Sequence, residues 1–315
     1  EQYGRISQDR EGIASRESEG ALDRAQALVV QERDFQGRTG LQLTGHEQDL
    51  VKGAMGNQYA RSMKILGFDQ DTDAFKNVLV DSRFDFIHSN FSNLSQYLKY
   101  HKVIPVEGIL ADFGVSSHQF NTRERGFSTR LDARLDMRMN QSQPLNAFEI
   151  INNYSEEDLR TLFYVYGELK NSKAIVAKII DRREKKTIET SMDLIDLLSP
   201  LVPKRFENKI FAQIFQALRI EVNDELEVLK SFLIQATTAL AKGGRLVCIS
   251  YHSLEDRLVK RFFQTGSFEG ELKKDFYGNP IKPLTKIGKL IVPKKEEIKL
   301  NGRSRSAKLR IAEKL

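Results

Sequence analysis

The chain has 315 residues, enough for one large or two modest domains at roughly 100–200 residues each. Hydrophobic residues make up 40% and charged residues 29%, which suits a packed core in water, and no apolar run approaches the roughly 20 residues that span a bilayer. The net charge of +6 is unevenly spread: residues 271–315 hold 13 Lys or Arg against 5 Asp or Glu, so the first 270 residues sum to −2, and a basic end on a near-neutral body points to a polyanion, nucleic acid first.

Residues 1–62 form an unassigned N-terminal segment. It is polar, lacks the apolar stretch of a secretory signal and shows no clear strand. Gly20 to Arg33 has the spacing of a helix through Ala21, Leu22, Ala25, Leu28 and Val29. From Met63 the pattern changes. Met63–Phe68 reads as a short apolar strand ending in Asp69-Gln-Asp71, and Asp73–Val80 as a helix. Phe84–His88 reads as a second strand ending at Ser89-Asn-Phe91, followed by a helix with Leu94, Tyr97 and Leu98 on its apolar side. Val106–Ala111 is a third strand, after which Asp112-Phe-Gly-Val-Ser-Ser-His-Gln119 turns polar at once. Strands alternating with helical spacers predict a parallel α/β sheet, whose strand ends at Asp69, Asn90-Phe91 and Asp112 share one edge. A carboxylate such as Asp69 at a strand end can accept both hydroxyl protons of a ribose, and Phe91 can lie against an adenine. The alternatives are a helix N-cap for Asp71 or Asp73 and a core contact for Phe91.

Phe120–Arg138 is loop-like and carries Arg123, Arg125, Arg130, Arg134 and Arg138 among apolar residues, a pattern suited to phosphates and bases or to a solvated loop. Residues 144–205 read as helices, one opened by Ser155-Glu-Glu-Asp158 and another by Thr190-Ser-Met-Asp193. The domain plan is therefore a sheet domain over 63–119 and 206–315 with a helical insertion over 120–205. Phe211–Ile220 and Asp224–Ala241 are helical by spacing, with Lys242-Gly-Gly244 as a C-cap. Arg245–Ser250 is a buried strand. It contains Cys248, the single cysteine, which excludes an intrachain disulfide, reads as inert core and fits a reducing cytoplasm. The strand ends in Tyr251-His-Ser-Leu-Glu-Asp256. Ile287–Val292 and Leu309–Ala312 supply final strands. Five histidines without ligand spacing argue against structural zinc, His252-Ser253 lacks a nucleophile elbow, and there is no Walker A loop.

Seven ordered stretches carry a resemblance: Leu110–Gln119, Arg125-Gly-Phe-Ser128, Leu135-Asp-Met-Arg-Met139, Phe215–Ile220, Val222–Leu226, Ser250–Arg257 and Arg303–Arg310. Together they closely resemble the ribosomal RNA small subunit methyltransferase H family, the bacterial 16S rRNA cytosine N4-methyltransferases that use S-adenosylmethionine. The resemblance runs from about residue 64 to the C-terminus. It implies a Rossmann-like class I methyltransferase sheet with an inserted helical domain. Cofactor contacts would fall on Asp69, Phe91, Asp112 and Gln119. The substrate would be a cytidine in the decoding region of 16S rRNA within the small ribosomal subunit, with no membrane, no metal, and a homodimer left open.

Asp112, or a carbonyl within Asp112-Phe-Gly114, would accept an N4 proton, and Phe113 or Tyr251 would stack on the base. Arg125, Arg138, His252, Arg303 and Arg305 complete the expected RNA side. The N-terminus departs from the family: where four glycines are expected, only Thr44-Gly-His46 is found. Either residues 1–62 are not the native sequence, the favoured reading because the remainder shows no such drift, or the cofactor is held weakly. The alternative function is an RNA- or ribosome-binding protein on the same fold with impaired catalysis.

Overall fold

The computed structural model describes residues 27–31, as backbone, together with 64–78 and 80–315. Seven strands build one sheet: β1 (Ala27–Gln31), β2 (Lys64–Asp69), β3 (Phe84–His88), β4 (Val106–Asp112), β5 (Leu240–Ser250), β6 (Leu284–Ile291) and β7 (Lys308–Lys314). Their spatial order is β3-β2-β1-β4-β5-β7-β6. The first five run parallel, and β7 lies antiparallel to both β5 and β6. The order reverses between β1 and β4, which is where a doubly wound sheet opens a crevice beyond its carboxyl ends. This is the expected Rossmann-like class I methyltransferase sheet.

The strands expected at Met63–Phe68, Phe84–His88, Val106–Ala111 and Arg245–Ser250 are β2, β3, β4 and the second half of β5. The helix expected over Gly20–Arg33 is corrected at Ala27–Gln31, which is the central strand β1; the rest of that segment lies outside the described residues. Leu28-Val-Val30 is a continuous apolar run with two β-branched valines. A strand covered on both faces needs such a run, and over so few residues helical spacing does not distinguish it from a helix. The expected cap at Lys242-Gly-Gly244 is also corrected. The preceding helix stops at Ala239, Leu240 turns extended, and the chain enters β5 directly, with a register shift between Val106 and Gly108 of β4.

Ten helices lie among the described residues. They are α1 (Leu94–Tyr100), α2 (Ser117–Asn121), α3 (Ala147–Asn153), α4 (Glu156–Val165), α5 (Ser172–Arg183), α6 (Ser191–Leu198), α7 (Glu207–Asn223), α8 (Glu225–Ala239), α9 (Ser253–Thr265) and α10 (Lys295–Leu300). The expected N-caps hold: Ser155 accepts the Asp158 N–H, and Thr190 forms a reciprocal capping box with Asp193. Asp73–Val80 is instead a 3-10 helix over Thr72–Asn77, capped by Asp71.

Two apolar cores result. One joins the sheet to α1, α8 and α9 through Leu66, Phe68, Ile109, Phe232, Leu246 and Phe263. The other runs from Val115 to Val222 and includes Phe211, Phe215 and Leu218 of α7, so the expected boundary at residue 205 falls one helix short of it. The basic end is folded into the sheet: Lys308 and Arg310 of β7 pair with Asp256, and Lys314 Nζ donates to the Thr237 carbonyl. No described helix is long and apolar enough to cross a membrane.

Candidate active site

Backbone register sets the site. Val30 of β1 pairs with Gly67 on one side and Leu110 on the other. Asp69 and Asp112 each lie two residues further along, so they end level on either side of β1, two strand spacings or about 10 Å apart. Asp69 pairs with His88, which brings Asn90 and Phe91 to the same edge, and Asp112 pairs with Ile249, which brings Ser250 and Tyr251 there. The side chains of Asp69 and Asp112 are half-buried at this edge. At Gly67, beneath it, a Cβ would run into the Phe84 ring, which would have to move aside.

Behind the carboxylates lies a buried polar joint. The Asp71 N–H donates to Asp69 Oδ1 at 2.8 Å, and the Asp71 carboxylate receives Gln119 Nε2 at 2.6 Å. Gln119 Oε1 accepts the Ser116 N–H, and Ser116 Oγ accepts the Gln119 N–H, the capping box that starts α2. Arg125 reaches Asp71 at 2.8 and 3.0 Å and Asp73 at 3.1 Å, and it donates to the carbonyls of Arg138 and Met139. His118 Nε2 lies 3.1 Å from Asp73 Oδ2. The Lys76 ammonium and His118 hold the Asp73 carboxyl below its ordinary range, against burial, which raises it. These contacts tie the loop after β2 to the loop after β4 and to the start of the insertion.

A second joint sits beyond β5. His252 caps α9, and its Nε2 lies 3.0 Å from Glu255 Oε1. Glu255 Oε2 accepts the Tyr251 N–H at 2.9 Å. Burial raises the Glu255 carboxyl, but His252, Arg219 and the Tyr251 N–H together outweigh it and hold the group down at about 2. Arg219 of α7 forms a bidentate pair with Glu225 of α8 at 2.8 and 3.0 Å. Glu225, His252 and Glu255 are the one cluster among the described residues close enough to hold a cation, and Arg219 already supplies positive charge there.

This geometry corrects several expected roles. Phe113 is buried and packs against Phe91 and Phe232, so it has no face for a base. Phe91 is likewise a core ring, edge-on to Phe232. Arg125 is 2% exposed, and both its terminal nitrogens are engaged inside the protein. Arg138 is spent on Asp136 and on the Gln141 and Gln143 carbonyls. The side chain of His252 is turned inward as a cap. Gln119 has both ends of its amide engaged and acts as a bridge. Arg303 and Arg305 stay on the surface, and Tyr251 is half-buried. Arg303 lies over the Phe120 ring and donates to Asn121 Oδ1 at 2.6 Å, which brings it beside α2 at the site edge.

The sequence reading did not single out Asp71 as a hub. It also missed Asn223, whose amide holds the backbone of Met137 and Met139, and the Arg219–Glu225 pair. The only signal was their place inside or beside the motifs quoted above.

Residues 40–315 match the family described as MraW methylase family. Ribosomal RNA small subunit methyltransferase H of Christiangramia forsetii is 55% identical over 273 residues, covering 86% of this chain and 88% of the relative. The protein of that name from Flavobacterium johnsoniae is 52% identical over 271 residues, with the same two coverages. That from Bacteroides fragilis is 52% identical over 271 residues, again covering 86% and 88%.

Proposed function

Because the chain belongs to the MraW methylase family, we propose that it is an rRNA methyltransferase that transfers a methyl group from S-adenosylmethionine to N4 of a cytidine in the decoding region of 16S rRNA. The observation that carries this reading is the level placement of Asp69 and Asp112 on either side of β1. The donor set suits a nucleoside cofactor: a carboxylate for ribose hydroxyls at one end of the crevice and a second carboxylate about two strands away, where chemistry is done. Asp69 would hold the ribose. The segment that would supply glycines after β1 lies outside the described residues.

When bound, the cofactor supplies a methyl group already activated on a sulfonium. The difficulty left to the protein is the cytosine amine, whose lone pair is delocalised into the ring. The Asp112 carboxylate would accept a hydrogen bond from an N4–H, draw the amine toward tetrahedral geometry and take up its proton as the methyl–sulfur bond gives way to the N–C bond, the sulfur leaving with the electron pair as a neutral thioether. Holding the reacting atoms in line supplies up to about 7–11 kcal/mol in favourable cases. The target base must first leave its stack, at a cost of roughly a few kcal/mol. Tyr251, two residues beyond the Ile249 partner of Asp112 and held through its N–H by Glu255, would receive it, and Arg303 and Arg305 would meet the phosphates.

The test is calorimetric titration with S-adenosylmethionine, then transfer of labelled methyl to small subunits, with the modified nucleoside identified by mass. N4-methylcytidine is expected; label on any other nucleoside refutes the reading. A second reading, rRNA binding without turnover, is favoured by one observation: a single Thr44-Gly-His46 stands where the family has four glycines. Intact rRNA binding with no heat of cofactor binding would select it.

A further inference from the structure

Between α9 and β6 the chain makes a hairpin that the site above does not use. Lys274 and Pro280 form an antiparallel bridge, and the Ile281 N–H donates to the Lys273 carbonyl. The turn is built around Asp275. Its Oδ1 accepts the N–H groups of Tyr277 and Asn279 at 2.9 and 2.8 Å, its Oδ2 accepts Asn279 Nδ2 at 3.0 Å, and Gly278 supplies the positive φ of 86°. At the tip stand Phe276 and Tyr277, 97% and 86% exposed, edge to face at 5.7 Å. Residues 271–289 contain five lysines (273, 274, 282, 286 and 289) against Glu271 and Asp275, and the Asp275 carboxylate is turned into its own turn.

Two aromatic rings held out in water on a fixed turn are poor hydrophobic economy unless something covers them. What covers them should be planar, because two flat rings stand exposed at the tip, and anionic, because the flanks are lysine. Unpaired nucleotides meet both conditions: every base has a face that stacks on an aromatic ring, and its phosphate meets the ammonium groups. The turn is already ordered by Asp275, so little freedom is lost on binding.

The hairpin lies at the opposite edge of the sheet from the candidate active site. It leads into Leu284, which pairs with Lys314, next to the pairing of Glu313 with Arg245 at the start of the β5 ladder, whereas Asp112 pairs with Ile249 at the far end. Four residues of strand, about 13 Å, separate the two edges along β5.

We propose that the hairpin Lys273–Ile281 is a second rRNA contact, in which Phe276 and Tyr277 stack on unpaired bases remote from the nucleotide that is modified and Lys273, Lys274 and Lys282 hold the flanking phosphates. This rests on the rRNA reading above but not on the chemistry assigned to Asp112.

The experiment uses the full chain, its F276A/Y277A and K273Q/K274Q variants, protein-free 16S rRNA, intact small subunits, and a short RNA carrying only the decoding-region cytidine. None of the substitutions touches Asp275 or Asn279, so the turn persists. The aromatic double variant is expected to bind 16S rRNA and subunits at least about thirtyfold more weakly at fixed salt, the effect of losing two stacked bases, with its salt dependence unchanged. The lysine double variant should flatten the slope of log K against log salt by about 1.4. Methylation of the short RNA should be the same for all three proteins. Unchanged affinity and slope in both variants overturns the proposal. A loss seen with subunits but not with protein-free rRNA also overturns it and assigns the tip to a ribosomal protein. Failure of the unsubstituted chain to methylate, with hairpin-sensitive rRNA binding intact, removes the catalytic reading and leaves this one standing.

Discussion

Replacing Arg125 by Met tests whether the cofactor edge and the insertion are one mechanical unit. The guanidinium is almost fully buried, bonds Asp71 at 2.8 and 3.0 Å and Asp73 at 3.1 Å, and donates to two backbone carbonyls. Asp71 is itself only 5% exposed. Without Arg125 its carboxylate keeps the Gln119 amide and the Asp73 N–H and loses the guanidinium that pairs with it. Breaking a buried ion pair from one side costs about 3–5 kcal/mol, a large share of the roughly 5–15 kcal/mol that keeps a protein folded. Asp71→Asn should cost less, because Arg125 keeps Asp73 and the two carbonyls. The double variant should cost less than the sum of the singles by about 2 kcal/mol, since the stranded charge is absent. Arg125→Lys should recover only part of the loss, because one ammonium cannot serve two carboxylates and two carbonyls at once. Urea unfolding followed by circular dichroism measures all four, the chain having no tryptophan. Additivity within about 0.5 kcal/mol would refute the coupling and with it the joint between the loops after β2 and β4.

Asp112→Asn should lower turnover by about 10²–10⁴-fold with an unchanged urea midpoint; full turnover in a label-transfer assay removes the carboxylate from the chemistry. Glu255 titrates at about 2 in the folded chain against an ordinary 4.5, so its contribution is complete above about pH 4.5 and is lost as pH falls toward 2. That span corresponds to about 3 kcal/mol, and Glu255→Gln should flatten this part of the acid-stability curve while lowering stability at pH 7. Gly126 has φ of +70°, and a Cβ there would meet the Arg134 carbonyl and the Asp136 N–H; Gly126→Ala should therefore cost more than about 1 kcal/mol in thermal unfolding.

What the sequence disclosed, and what it hid, divides along a physical line. Asp69, Asn90 and Asp112 were legible because they follow apolar runs whose period and length announce parallel strands, and in such a sheet all strand ends face one way. β1 was missed because Leu28-Val-Val30 carries no alternation, and the polar residues around it mimic a helical stripe. The substrate side was misread for a different reason. Arg125 and Asp71 are 54 positions apart, and a pairing over that distance leaves no periodic trace.

An arginine among apolar residues in a loop reads as a phosphate ligand, yet Arg125 and Arg138 both spend their donors on carboxylates and backbone carbonyls, because a long irregular segment brought against a core must satisfy its polar backbone from within. His252 follows the same logic: a helix that begins at a strand end needs a cap before it can offer a ligand. The motif residues therefore separate into two groups by burial. Asp112, Tyr251, Arg303 and Arg305 remain at or near the surface of the site edge, while Arg125, Gln119, Asn223 and Glu255 hold the loops that carry them. Substitutions in the second group should therefore register first as lost stability and only then as lost activity, and those in the first group the reverse.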